Sequence, residues 1–421
     1  MKTLKTILGT TVALLLLSGV FNTSSAQFVK ELQYFRPYGL AGVNQFEPTK
    51  ADKNYEYDGF KLYWGAAFTQ QWQDLIQSNS YMANGSNGLT DIGPGFNLAT
   101  ANLYLDAQLA QGMRLHLTTY LSSRHHSEAW VKGGYLRVDA LPMLHSDVID
   151  NIMQYVTLKI GHMEINYGDA HFYRSDNANA LYNPLVGNYL MDSFTTEVGT
   201  EIYVMNSGFL GMLGISGGQL HPDVANPAGR APSVYGKLGY DSKVGDDTRI
   251  RLTGSFYHNN YKTHLYHGDR AGSRYYDILD AGAWSGRVEP RFSNGYTSFM
   301  INPYVQVGGL NVFGVIESTK ERTVNGNGGN SAQQYAVDVQ YFISPQVYLA
   351  GRYNVVTGDL LNASSSSAQV NRVQFGAGWF MTKNILVKGE YMSQEYKKGF
   401  TNNLYQGAKV HGVMVEASIG F

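Results

Sequence analysis

The sequence predicts an all-β fold: a transmembrane antiparallel β-barrel of about sixteen strands, with long third and fifth external loops. Three observations carry this expectation. The chain closes on Val413-Met414-Val415-Glu416-Ala417-Ser418-Ile419-Gly420-Phe421, where apolar side chains recur at every second position up to a terminal aromatic. Period two belongs to a strand with one face in an apolar medium and the other in a polar one. Composition agrees: 31 Tyr and 47 Gly accompany only 15% charged residues in 421, against ~25% in an ordinary soluble chain. Finally, beyond the first 26 residues no segment approaches the ~20 apolar residues that a spanning helix requires.

Residues 1–26 read as a secretory leader. Lys2 and Lys5 supply the positive end, Ile7 to Val20 an apolar stretch, and Ser24-Ser25-Ala26 small residues for cleavage before Gln27. There is no Cys, which excludes a thiol-linked lipid anchor and disulfides, so the fold must rest on hydrogen bonding and packing. The 32 basic residues nearly balance 33 acidic ones, so the basic footprint of a nucleic-acid binder is missing. Residues 27–59 form a periplasmic N-terminal segment ahead of a barrel over 60–421. For that segment three readings stay open: a disordered tether, a stretch packed inside the lumen, or a partner-binding tag.

Strands follow from segments of about ten alternating residues, joined at one end by tight turns and at the other by longer polar loops, as outer-membrane barrels are. The last third is clearest. Tyr335, Val337, Val339 and Tyr341 alternate with polar neighbours, Ser344-Pro345 turns the chain, and Val347, Leu349, Gly351 and Tyr353 resume the pattern. The same reading places strands at 60–73, 98–109, 112–123, 129–140, 153–165, 195–205, 209–219 and 233–242. It continues with 247–258, 297–307, 310–319, 332–343, 346–356, 369–381, 384–396 and 408–421. Tyr276 to Arg287 alternates weakly and is assigned to a loop, because a seventeenth strand would break the even count. The longest loops are 166–194 and 259–295. Sixteen strands enclose a lumen too wide for wall side chains to fill, and loops of this length reach its middle.

Gly161-His162-Met163-Glu164-Ile165-Asn166-Tyr167-Gly168 resembles the Gly-x-x-Lys-x-Pro-aromatic-Gly segment leading into the third loop of phosphate-selective porins of the O and P type; Arg174-Ser175 and Asn183-Pro184 also resemble that loop. Leu32-Gln33-Tyr34-Phe35-Arg36-Pro37 and Trp64-Gly65 are similar to porin-like proteins of Bacteroidota. The resemblance implies a sixteen-stranded, usually trimeric outer-membrane barrel with its third and fifth loops folded into the pore. It implies outer-membrane lipids as surroundings and insertion by the barrel-assembly machinery through Phe421. Glu164 stands where the family has Lys, and Asn166 where it has Pro, so phosphate selectivity does not carry over.

A charge on the lipid face at mid-bilayer costs ~2–4 kcal/mol for Arg or Lys, so mid-strand charges are expected to face the lumen. The pore wall then carries Lys61, Arg114, Arg137, Lys159, Lys237, Arg249, Arg251, Arg352, Arg372 and Lys388 against Asp106, Asp139, Glu197, Glu201, Asp338, Glu390 and Glu416. Rings of charge select ions only when they share one height at the narrow point, which sequence does not give. The expected constriction residues are Glu164, His171 and Arg174 from the third loop region with Lys262, Arg270 and Arg274 from the fifth. Tyr261, Tyr266, Tyr275, Tyr276 and Trp284 offer rings for stacking against a sugar face. Catalysis is not expected: His125-His126-Ser127 lacks a third member, and His264/His267 lacks the ligand framework of a metal site. No cofactor or metal is expected. The function expected is passive passage of small hydrophilic solutes, anionic ones among the candidates; the alternative is a non-conducting structural or adhesin barrel within a larger complex.

Overall fold

Alternation at period two becomes a wall one residue thick, greasy outside and polar inside. The computed structural model describes residues 36–50, 57–122, 129–218, 231–261, 263–267, 274–280 and 286–421. The leader, Lys262, Arg270, Trp284 and His125-His126-Ser127 lie outside these. Sixteen antiparallel strands follow one another around the wall: β1 (Lys61–Ser78), β2 (Thr100–Ala110), β3 (Met113–Ser122), β4 (Trp130–Val138), β5 (Val156–Glu164), β6 (Thr196–Asn206), β7 (Phe209–Ser216) and β8 (Ser233–Val244). Next come β9 (Thr248–Asn259), β10 (Tyr296–Val307), β11 (Leu310–Glu321), β12 (Ser331–Ser344), β13 (Val347–Gly358), β14 (Ala368–Thr382), β15 (Ile385–Lys398) and β16 (Lys409–Gly420). A two-residue stub, Gly95–Phe96, extends β2 along β1 beyond an irregularity. The described residues of 276–287 hold no strand.

The sheet closes because β1 pairs with both its neighbour β2 and the last strand, from Ala67↔Gly420 to Ser78↔Lys409. Phe421 is stitched into this seam: its N–H donates to the Ala66 carbonyl at 3.0 Å and its carbonyl accepts from the Ala66 N–H at 2.9 Å. Tight turns mark one end of the barrel. Asn206-Ser207-Gly208-Phe209 has positive φ at both central residues, 47° and 87°, the backbone that matches strand twist in a two-residue hairpin.

On β16, Val413, Val415 and Ile419 face out while Met414, Glu416 and Ser418 are fully buried. The pattern repeats with Leu238, Leu252, Phe299, Ile301, Leu349 and Phe375, all exposed large apolar groups. An apolar surface of that extent around a closed wall is stable only against lipid. Exposed Tyr335 and Tyr341 on β12 stand six residues apart, about 20 Å along a strand, with Trp379 and the Phe209–Tyr240 pair near the turn end. Aromatics at both margins are what interfacial headgroups favour.

Inside, the third loop, 165–195, is almost wholly buried. Gly161 (φ 144°) and Gly168 (φ 67°) frame its start. At Gly161 a Cβ would strike the Gly134–Tyr135 backbone, and at Gly168 the side chain of Met300; both positions need glycine. The loop crosses to the far wall, where Leu190 N–H donates to Asn354 Oδ1 at 2.6 Å, Met191 N–H to Gln334 Oε1 at 2.8 Å, and Tyr189 Oη to Asp338 at 2.6 Å. The described parts of the fifth loop lie against it, joined by Phe194 N–H to Leu265 O (2.8 Å) and Val288 N–H to Leu190 O (2.7 Å). Glu317 on β11 accepts from Tyr167 of the third loop and Tyr266 of the fifth. Residues 36–50 also lie in the lumen, with Phe46 packed on Phe172, Tyr173 and Tyr304.

Candidate functional site

Because the third loop leans towards β10–β16, space remains on the opposite side. A cavity of about 270 Å³ runs between β2–β6, the third loop and residues 36–48. That is near the lower edge of the ~300–1,000 Å³ typical of small-molecule sites.

Strand register sets the charge on its wall. Arg114 pairs across from Arg137, Arg137 from Lys159, and Lys159 from Glu201. Three cations on three adjacent strands therefore share one row, and all three line the cavity. Like charges directly opposite repel, and acids beside the row offset this. Arg137 holds Asp139 by two hydrogen bonds (2.8 and 3.2 Å), Thr157 donates to Asp139 at 2.6 Å, and Lys159 stands 3.4 Å from Glu201. Asp106 accepts from His116 at 3.0 Å and is 4.0 Å from Arg114.

The facing side is mixed. Glu164 pairs with His171 at 2.7 Å. Arg174 forks onto Asp192 at 2.9 and 2.7 Å, stacks over Phe194 at 3.7 Å and lies 3.8 Å from Asp176. Burial alone would lower the Arg174 pKa, but the Asp192 charge overcomes it and the guanidinium is raised. Arg36 is the reverse case: it stacks on Tyr182 at 3.7 Å, gains only weak opposing charge, and burial lowers it. Tyr38, stacked on Tyr104 at 4.6 Å, adds an aromatic flank.

The remaining expected residues lie elsewhere. Arg352 is paired across strands with Asp338 (2.5 Å) and donates to Gly187 O. Arg372 donates to Asn188 O and Gly286 O, and Lys388 to Ala180 O, Asn183 O and Leu185 O as well as to Glu416. Arg274 is 1% exposed, donates to Asn177 O, and sits 4.0 Å from Glu416. These four face inward but grip loop backbone, so they anchor the filled side and do not border the cavity. Arg251 belongs to an ion cluster with Asp169, Glu47 and Asp241, while Arg249 pairs with Asp241 beside a separate turn-end hollow of about 470 Å³. His267 reaches Glu289 at 2.6 Å in the fifth loop. Among the described residues no group of three or more His, Asp or Glu is placed to hold a metal ion.

Sequence reasoning missed Asp176, His116, Glu47 and the Tyr38–Tyr104–Tyr182 flank. His116 could have been found, since it shares the inward parity of Arg114 on one strand. Glu47 gave no such signal, because its partner Lys237 is 190 residues away.

Neither a family model nor a curated protein sequence matches the chain. Solved structures do. The outer membrane channel DcaP of Acinetobacter baumannii aligns at TM-score 0.54 and 13% identity, covering 87% of this chain and 99% of that one. An anion-selective porin from Comamonas acidovorans aligns at 0.52 and 11%, covering 86% and 100%. OmpT of Vibrio cholerae in a trimer form aligns at 0.51 and 12%, again covering 86% and 100%. At such identities the likeness is one of fold: a closed sixteen-stranded outer-membrane barrel of the porin type.

Proposed function

We propose that this chain is an outer-membrane pore for passive, non-catalytic passage of small hydrophilic solutes, with a modest preference for anions. The path is the gap between the β2–β6 wall and the third loop. One observation carries the reading: among the described residues, the β3–β5 wall of this cavity presents Arg114, Arg137 and Lys159 in a single row. Adjacent cations in one cross-strand row concentrate their field on a passing ion. Glu164, Asp176 and Glu47 on the facing side temper that preference, which distinguishes the site from the phosphate-selective porins it resembles near Gly161 to Gly168. Arg174 and His171 narrow the path, and Lys262 and Arg270 are kept from the sequence as further constriction residues of the fifth loop. We further propose a homotrimer in lipid, a cleaved leader over residues 1–26, and insertion by the barrel-assembly machinery through the Phe421 seam.

The test is single-channel conductance in a planar bilayer with reversal potential under a salt gradient. Small stepwise currents with an anion-favouring potential are expected. Verified insertion without current would overturn the pore and favour a plugged structural barrel.

A further inference from the structure

Lys237 on β8 and Arg251 on β9 aim at a carboxylate that belongs to neither wall nor loop. Glu47 Oε1 accepts from Lys237 Nζ at 2.8 Å and from Asn166 Nδ2 at 2.9 Å, while Oε2 accepts from Arg251 Nη2 at 2.6 Å. Three elements thus supply donors to both oxygens of one carboxylate, and the Lys237 and Arg251 side chains are 0% and 3% exposed. Such charge-assisted bonds are the strong ones. The seat is also built independently of its occupant. Asp169 of the third loop holds the same Lys237 at 2.8 Å and the same Arg251 at 2.8 and 2.9 Å, so both cations stay oriented without Glu47 and keep positive charge for an exchanged anion.

Position adds a second argument. Glu47 lines the 270 Å³ cavity and also a hollow of about 440 Å³ at the turn end; with Met205 it stands between the two. It is carried on a segment that precedes β1 and contributes nothing to the ladder, so it can withdraw without breaking a strand pair.

We propose that Lys237, Arg251 and Asn166 form a carboxylate-binding site on the permeation path, and that Glu47 is its tethered occupant. A small monocarboxylate solute exchanges with Glu47, and departure of residues 44–50 joins the two hollows. This rests on the pore reading above. A tethered ligand competes at an effective concentration of about millimolar, so the free solute acts at about 10 mM and above. Asp169 shares both cations and repels a second negative charge, which favours a carboxylate over a phosphate dianion.

The experiment uses Pro48→Cys, the sole thiol in a chain that has no Cys, at a position lining the path. The labelling rate with a neutral maleimide is measured in reconstituted protein against acetate, inorganic phosphate and chloride at constant ionic strength, with folding checked by heat-modifiable mobility. Acetate at tens of millimolar is expected to raise the rate about threefold or more, with phosphate and chloride weaker. Adding Glu47→Gln should give the fast rate without acetate and remove the response. Labelling indifferent to acetate, or a Glu47→Gln background that still responds to it, overturns the proposal. A second measurement locks the segment by Asn44→Cys with Gln340→Cys, whose native side chains touch at 3.2 Å. Oxidation should abolish an acetate-dependent change in step conductance and reduction restore it; a response that survives the lock also overturns the proposal. Labelling needs no current, so a barrel that inserts without conducting fails the pore reading while leaving the exchange separately measured.

Discussion

Two sides of one lumen use the same residue types differently. Along β12–β16, Arg352, Arg372 and Lys388 meet carbonyls of the third loop and become anchors. Along β3–β5, Arg114, Arg137 and Lys159 line a cavity, and Lys159 reaches back only as far as Glu164 O on its own strand, at 3.3 Å. What separates an anchor from a selector is therefore what lies opposite, and that is set by where the third loop leans. A buried cation with carbonyl partners stabilises a shape; a cation beside a wet cavity acts on whatever passes.

The largest test of this contrast is Arg352→Ala. It strands Asp338 in a nearly dry site, and breaking a buried pair from one side costs about 3–5 kcal/mol. Thermal unfolding of the detergent-solubilised barrel should drop accordingly, and Asp338→Asn in the same chain should recover part of the loss. Next is the pH dependence of the Glu47 seat. Burial would raise the Glu47 pKa, but Arg251 and Lys237 outweigh it and Asp169, and lower it from 4.5 to about 2. A depressed carboxyl contributes its docking energy in full above 4.5 and loses it as pH falls towards 2. Step conductance should hold between pH 7 and 4.5 and rise below, as the segment facing Lys237, Arg251, Asp169 and Asp241 lets go. A smaller effect is expected from Arg137→Gln on the open side. Asp139 keeps Lys50 and Thr157, so stability should change little. The anion-to-cation permeability ratio should fall about threefold, ~0.7 kcal/mol, the scale of one charge at about 6 Å in water. Equal shifts in selectivity from Arg352→Ala and Arg137→Gln would erase the distinction between the two sides. Smallest is Glu289→Gln in the fifth loop. Its carboxyl is held low because the His267 hydrogen bond and the Arg287 charge outweigh burial. These partly buried loop contacts contribute about 1 kcal/mol, and selectivity should not move.

The wall was legible because period two repeats locally. Each of the sixteen segments read from alternation coincides with a strand, and both long loops follow the strands expected of them. Heights were not legible. That Arg114, Arg137 and Lys159 share a row depends on the β3–β4 and β4–β5 registers, the second set across the longer connection over 139–155, which no single strand encodes. Nor did the sequence distinguish Arg352 from Arg137, as both are inward cations at mid-strand. The difference lies in Gly187, a loop residue 165 positions from Arg352. Glu47 was hidden for the same reason: its meaning comes from two strands and a loop that meet only once the barrel is closed.

The seam between β1 and β16 has a consequence for how the molecule is made. Ala66 bonds to Phe421, so the sixteenth strand, made after the other fifteen, completes the first. Until it arrives both edges of the sheet stay open, and open edges invite pairing with other chains. The entropy of bringing such distant ends together grows only by about 0.6 kcal/mol per doubling of the span. The toll is in time, since contacts this remote in sequence form late and slowly. A chain shortened by its final strand would keep nearly all of its pairings and still lack the one that makes the others a ring.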